Sequence, residues 1–355
     1  MLLLRKISMQ YVGFNMKKRL DFIDTARGIA MISIVLGHLG NSQINRIVFT
    51  YHVPLFFFVT GYFMNTKRNI KDFIANKIRT LLVPYAVTCM VIVILNIVRG
   101  YCSGGADGAL SMARYWMYAS VYGAGDSWQE PFWIAAIGAI WFLWATFWGS
   151  IFLKISLKMS ETRRLCMILG IFAAGYLSRM WFWFPFSIQA GCCATLFMYF
   201  GYLVRQGEST IEGLPEEIKK CSVIFAAIIW IEFMKNFQSF WLVHCDIGRG
   251  FIDIFGCICG CYIVFIISWY LEKYAGKLAK VLQYIGRFSI LALCIHIIEL
   301  DVIPWKTLMN SIVAKGFSWM TVFSIVIVIK MIMIFGGTVL LSKSKPICRL
   351  YGIKV

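Results

Sequence analysis

The fold class this sequence predicts is all-α: a polytopic bundle of helices threaded through a lipid bilayer, and three observations predict it. Hydrophobic residues make up 60% of the 355 positions and charged ones 15%, with a mean hydropathy of +0.73. No water-soluble fold of this length hides that much apolar surface. The apolar residues are gathered into runs close to the roughly 20 residues a helix needs to cross a bilayer. Lys and Arg recur in clusters between those runs, which is the charge pattern of membrane topology. A nucleic-acid binder gathers its basic residues on one face or in one domain, so the net charge of +18 points to the bilayer and not to nucleic acid.

Ten runs qualify as spans: 22–40, 46–64, 79–99, 133–153, 165–185, 189–205, 221–237, 251–271, 284–300 and 318–342. Basic residues precede the first run (Arg5, Lys6, Lys17, Lys18, Arg19) and follow the second (Lys67, Arg68, Lys71, Lys77, Arg79). Further clusters follow the fourth, sixth and eighth runs and close the chain, so most of the 35 Lys and Arg fall on one side. That side is cytoplasmic by the positive-inside rule, and an even number of spans returns both termini to it.

Residues 1–16 are expected to be a disordered lead-in, and 17–355 a single membrane domain whose first span is an uncleaved anchor. The stretch 100–132, with Gly-rich ends and an aromatic centre, is expected to lie as an interfacial loop on the outer side. The twelve cysteines sit mostly inside apolar runs without the spacing of a zinc site, so they are core residues and no metal is expected.

The chemistry is expected at the two rims of the first span. Arg27 and His38 are three helical turns apart, about 16 Å along the axis, and share one helical face. A charged side chain on that face belongs inside the bundle, since a lipid-facing Arg near the centre of a span costs at least about 2.5 kcal/mol. Alternatively, Arg27 anchors the inner rim by snorkelling. The four histidines, His38, His52, His244 and His296, all fall towards the outer side, which favours one convergent site over four separate structural roles. Glu299 follows His296 by three residues and so shares its face, able to orient the imidazole and stabilise its protonated form, or to make a structural hydrogen bond. On the inner side, Arg68, Lys77 and Arg79 lie in "NTKRNIKDFIANKIRTLLVPY", which sets topology or holds an anion.

Five stretches carry a resemblance: "LDFIDTARGIAMISIVLGH", "YHVPLFFFVTGYF", "KIRTLLVPY", "IWFLWATFW" and "IGRFSILALCIHIIELDVIPW". Together they resemble the membrane acyltransferase type 3 family, most closely its fucose 4-O-acetylase-like branch, from about residue 17 to the C-terminus. Arg27 and His38 match the family's Arg-x10-His pair, and His52 matches its aromatic-histidine-x-proline-leucine-phenylalanine turn. The family's Arg-x-x-Arg before the Leu-Leu-x-Pro-Tyr element reads "NKIR" here, leaving Lys77 and Arg79.

The resemblance implies about ten spans and transfer of an acyl group, usually acetyl, from cytoplasmic acyl-CoA to a hydroxyl of an extracytoplasmic sugar or polysaccharide. It implies a multi-pass protein of a bacterial cell membrane that modifies the cell envelope by O-acetylation. His38 is then the general base or a transient acyl carrier, with His52, His296 and Glu299 beside it. Arg27, Lys77, Arg79 and Arg68 hold the phosphates of the acetyl-CoA donor. The partners are the donor, the glycan and the lipid bilayer, with a homo-oligomer left open. The rival class is a membrane transporter or flippase of a polysaccharide assembly system, for which Lys330, in mid-span, is the best support.

Overall fold

The computed structural model describes residues 21–353, so the expected lead-in at 1–16 and the first basic cluster lie outside the described residues. Among the described residues the regular structure is helical, with two isolated β-bridges in the segment 124–136.

Helix α1 (Asp21–Gly37) begins with Asp21 and Asp24, which complement the positive end of the helix dipole. The expected second run divides into α2 (Ser42–Val48) and α3 (His52–Tyr62). The side-chain oxygen of Asn41 accepts from the N–H groups of Gln43 and Ile44, at 2.9 and 3.1 Å, and starts α2 early. Pro54 sits in the first turn of α3, where a missing N–H costs no helical bond. After α4 (Ile70–Lys77) a π-helical stretch, Ile78–Leu82, leads into α5 (Val83–Tyr122). Pro84 supplies no N–H and its ring crowds the preceding turn, which the wider π turn relieves.

The expected interfacial loop at 100–132 is corrected here, because helix continues to Tyr122. Within α5 the backbone breaks at Gly104 (φ −152°, ψ 23°) and Gly105 (φ 59°, ψ −147°). Gly105 is in a left-handed region that glycine enters without steric cost. The second arm doubles back along the first: a Cβ on Gly100 would lie 2.5 Å from the Gly108 carbonyl, and the Tyr85 hydroxyl donates to Ser120 O at 2.7 Å.

The chain continues through α6 (Trp141–Ser156), α7 (Glu161–Ser178), α8 (Ile188–Gln206), α9 (Glu208–Glu212), α10 (Glu216–Lys235) and α11 (Phe251–Tyr274). It ends with α12 (Gly276–Arg287), α13 (Ser289–Val302), α14 (Trp305–Val313), α15 (Trp319–Met331), a π stretch at Ile332–Gly336, α16 (Gly337–Ser342) and α17 (Lys345–Leu350). Among the described residues, five helical stretches are long and apolar enough to cross a membrane: Ile70–Tyr122, Gly138–Ser156, Pro185–Gln206, Phe251–Tyr274 and Trp319–Ser342. The pair α12 and α13, bent by 72°, makes a sixth. At 17 and 11 residues, α1 and α3 are shorter than the roughly 20 a crossing takes.

Two close helix pairs hold the bundle. Helix α3 packs on α8, where a Cβ on Gly61 would stand 1.7 Å from Met198 O and one on Gly201 1.9 Å from Phe58 O. Helix α1 packs on α12 in the same way: a Cβ on Gly28 would stand 2.1 Å from Leu282 O, and one on Gly286 1.8 Å from Asp24 O. Hydrogen bonds between connections sort them into two ends. At one end Lys154 donates to Asn65 O and Thr66 O (2.7 and 2.8 Å) and the Tyr62 hydroxyl to Glu208 (2.8 Å). At the other, beyond His38, Arg46 Nε donates to Met234 O (3.0 Å) and Phe49 stacks on Trp241 (5.6 Å).

Candidate active site

His38 is the first residue beyond α1 and is exposed. Its Nδ1 lies 2.8 Å from Ile34 O and 3.4 Å from His296 Nε2. The two rings meet edge to face at 5.1 Å. His296 is fully buried on α13, and its Nδ1 lies 2.9 Å from Glu299 Oε1, one turn along the same helix. Glu299 also accepts from Lys330 Nζ on α15, at 3.1 and 3.0 Å to its two oxygens, and from the indole N–H of Trp305. The ammonium sits 4.7 Å from the centroid of the Trp305 ring, a cation–π contact. A carboxylate with 3% exposure is tolerable because it is paired and hydrogen-bonded at both oxygens.

The bonding pattern assigns the tautomers. Glu299 accepts, so His296 Nδ1 carries a proton and its Nε2 presents a lone pair. The Ile34 carbonyl accepts, so His38 Nδ1 also carries its proton, shared with His296 Nε2. That leaves His38 Nε2 as a lone pair at the open edge of the bundle. An imidazole held this way accepts a proton, and the row behind it, His296, Glu299 and Lys330, stabilises the resulting imidazolium.

Of the four histidines, His38 and His296 are hydrogen-bonded to each other, while the other two take other partners. His52, buried at the start of α3, donates from Nδ1 to Val48 O at 2.5 Å and packs its ring on Phe49 at 5.0 Å. No hydrogen bond joins it to His38 or His296 among the described residues. His244 Nε2 lies 3.1 Å from Asp126 Oδ2, and the ring sits between Trp128 and Trp241.

At the other end of α1, Arg27 Nη1 meets Asp24 Oδ1 at 3.3 Å and Nη2 donates to Ser289 Oγ at 2.8 Å. The glycine contact of α1 with α12 and the bend into α13 bring Ser289 there. Lys77 lies against the Phe73 ring at 5.6 Å, and Arg79, on the π stretch, and Arg68 are exposed. Among the described residues, Arg27 is bonded to Asp24 and Ser289 and none of these three is bonded to it. Helix α4 and the π stretch pack on α6, whereas α1 packs on α12, so the expected phosphate-binding set stands as two basic groups on different helices.

A family model described as an acyltransferase domain, of the acyltransferase 3 type, matches residues 20–343. The chain belongs to the acyltransferase 3 family. No curated protein and no solved structure matches it.

In this membrane acyltransferase the fold adds four residues to the expected site, of which the sequence had singled out only Lys330, and for another role. Lys330 and Trp305 complete the shell of Glu299, and Asp24 and Ser289 hold Arg27. The signal for Lys330 was present: an ammonium in the middle of an apolar run needs an acidic partner, and Glu299 was among the few available. Trp305 and Ser289 carried none, because indoles and hydroxyls are common in such runs.

Proposed function

We propose that this protein is an O-acyltransferase of a bacterial plasma membrane, closest to the fucose 4-O-acetylase-like branch. It moves an acetyl group from cytoplasmic acetyl-CoA to a hydroxyl of an extracytoplasmic glycan of the cell envelope. The observation that carries the reading is the row of His38, His296, Glu299 and Lys330 at one end of α1, with Arg27 held at the other. Ten crossings, with the Lys- and Arg-rich end cytoplasmic, put Arg27 beside the donor and His38 beside the acceptor.

The donor's phosphates lie near Arg27 and the basic residues Lys77, Arg79 and Arg68, while its thioester arm reaches into the bundle. His38 Nε2 takes the proton of the acceptor hydroxyl as the oxygen forms its bond to the thioester carbonyl carbon. The tetrahedral oxyanion collapses, the C–S bond breaks, and the thiolate takes the proton back from His38. His296 and Glu299 hold the charge that appears on His38 between these steps, and Lys330 keeps Glu299 ionised and in place. His52, one helix start away, orients the acceptor side of the pocket. The pairing of Lys330 with Glu299 accounts for the residue that most favoured a transporter or flippase.

The test is purified protein in proteoliposomes, supplied with acyl-CoA labelled on the acyl group at the basic end and with polysaccharide at the other. Label on the glycan that disappears in His38→Ala supports the reading. Donor that neither binds nor turns over, with uptake of a sugar in its place, refutes it.

A further inference from the structure

The segment between α5 and α6 forms a tight hairpin that nothing in the transfer chemistry requires. Trp128 and Ile134 exchange backbone hydrogen bonds at 3.1 and 2.9 Å, and Ile137 N donates to Ala124 O at 2.8 Å. Its stem is anchored by fully buried Ala124, Ile134, Ala135 and Ile137, while its tip is exposed. Two tryptophans flank the tip, half-buried Trp128 in the stem and exposed Trp133, and each lines an open pocket.

On one side a pocket of about 440 Å³ is lined by Trp128, Arg179, Met180, His244 and Asp246. Trp128 is held flat against buried Trp183, with ring centroids 5.6 Å apart and planes within 10°. On the other side a pocket of about 510 Å³ is lined by Asp107, Leu110, Ser111, Arg114, Tyr115 and Trp133. Trp133 is 47% exposed and stacks on Tyr118 at 5.3 Å.

Both pockets therefore offer the same set: an indole face braced from behind, a guanidinium and a carboxylate. A ring with apolar C–H faces and hydroxyls around its edge matches that set, the faces lying on indole and the vicinal hydroxyls bridging the two-pronged carboxylate and guanidinium. Neither pocket has a net positive charge. Each lining holds one guanidinium and one carboxylate, Arg114 with Asp107 and Arg179 with Asp246, so an anionic sugar gains nothing there.

Contacts also run from the hairpin and its pockets towards the transfer site. Rings step from His52 to Phe49 (5.0 Å), to Trp241 (5.6 Å) and to His244 (5.9 Å) in the first pocket. Beneath the hairpin, a Cβ on Gly138 would lie 3.2 Å from Oδ1 of Asp301, two residues beyond Glu299, and Asp301 Oδ2 is buried with no hydrogen-bond partner among the described residues.

We propose that the hairpin carries two acceptor subsites, one at Trp128 and one at Trp133, that bind successive units of a neutral oligosaccharide and present it to His38. The inference rests on the reading that the acceptor is a glycan. It makes the substrate a chain of neutral hexoses or deoxyhexoses and not a free monosaccharide.

The test uses intact protein in proteoliposomes, with neutral hexose oligosaccharides of one to four units, a uronate series of the same lengths, and Trp133→Ala, Arg114→Gln and Trp128→Ala. Donor cleavage by water, followed alongside, shows that each variant is folded and its His38 row intact. The expected result is an acceptor KM that falls with chain length in the wild type and rises about tenfold or more in Trp133→Ala and Arg114→Gln, with donor cleavage unchanged. Oligosaccharide KM values that do not move in those two variants overturn the proposal alone, as does preference for the uronate series. Wild-type protein that cleaves donor and labels no saccharide overturns the glycan reading itself, and the subsites with it.

Discussion

Replacing Lys330 by Met isolates what the ammonium does for Glu299. Its two contacts with the carboxylate, at 3.1 and 3.0 Å, join side chains only 6% and 2% exposed. Water therefore cannot replace the lost partner. Removing one member of a buried ion pair leaves the other charge uncompensated and costs about 3–5 kcal/mol. Lys330→Met should lose that much stability, and Glu299→Gln a similar amount because it strands the ammonium. The double variant buries no charge, so it should fall short of the summed losses by about 1–3 kcal/mol. Transfer separates stability from chemistry. Glu299→Gln keeps a hydrogen-bond acceptor beside His296 and removes the charge behind it, so kcat should drop about a hundredfold or more even where the protein is fully folded. The assay is chemical unfolding of the four proteins in one detergent, paired with labelled-acyl transfer. Strictly additive stability losses, or wild-type kcat in Glu299→Gln, would refute the row as described.

His38→Gln should remove transfer while leaving the unfolding midpoint unchanged, since His38 is exposed; transfer at the wild-type rate would exclude it as the base. Arg27→Ala should raise the KM for the donor about tenfold with kcat little changed, the pattern of a lost ground-state contact, checked by varying donor at saturating acceptor. A Cβ at Gly286 has only 1.8 Å to the Asp24 carbonyl, so Gly286→Ala must part α1 from α12 and should cost about 1–3 kcal/mol, visible as a lowered unfolding midpoint. If Gly286→Ala unfolds like the wild type, the two helices do not touch there.

Local rules carried the helical class, the place of Arg27 and His38 at opposite ends of one helix, and the pairing of His296 with Glu299. Each is a matter of composition or of spacing along one helix, and an i,i+3 pair needs no knowledge of the rest of the fold. Where elements begin and break was less legible. Asn41 starts a helix early and divides the second run, and Gly104 and Gly105 fold an expected loop back as helix, because caps and glycine turns act over one or two residues that a window of twenty averages away. Grouping by side does not name the partners of the histidines: an end of the bundle is wide, and His244 meets Asp126 while His38 meets His296.

The sequence by itself determined a helical chain made for a bilayer, the acyltransferase 3 motifs, and a histidine and an arginine about 16 Å apart on one face of α1. The tertiary structure decided who completes them. Lys330 lies 31 residues from Glu299, and Ser289 lies 262 from Arg27. Nothing in local spacing joins such positions. They meet because glycines let α1 and α12 approach to backbone contact and α13 turns by 72° from that pair, and because a buried charge cannot stay unpaired where water is excluded.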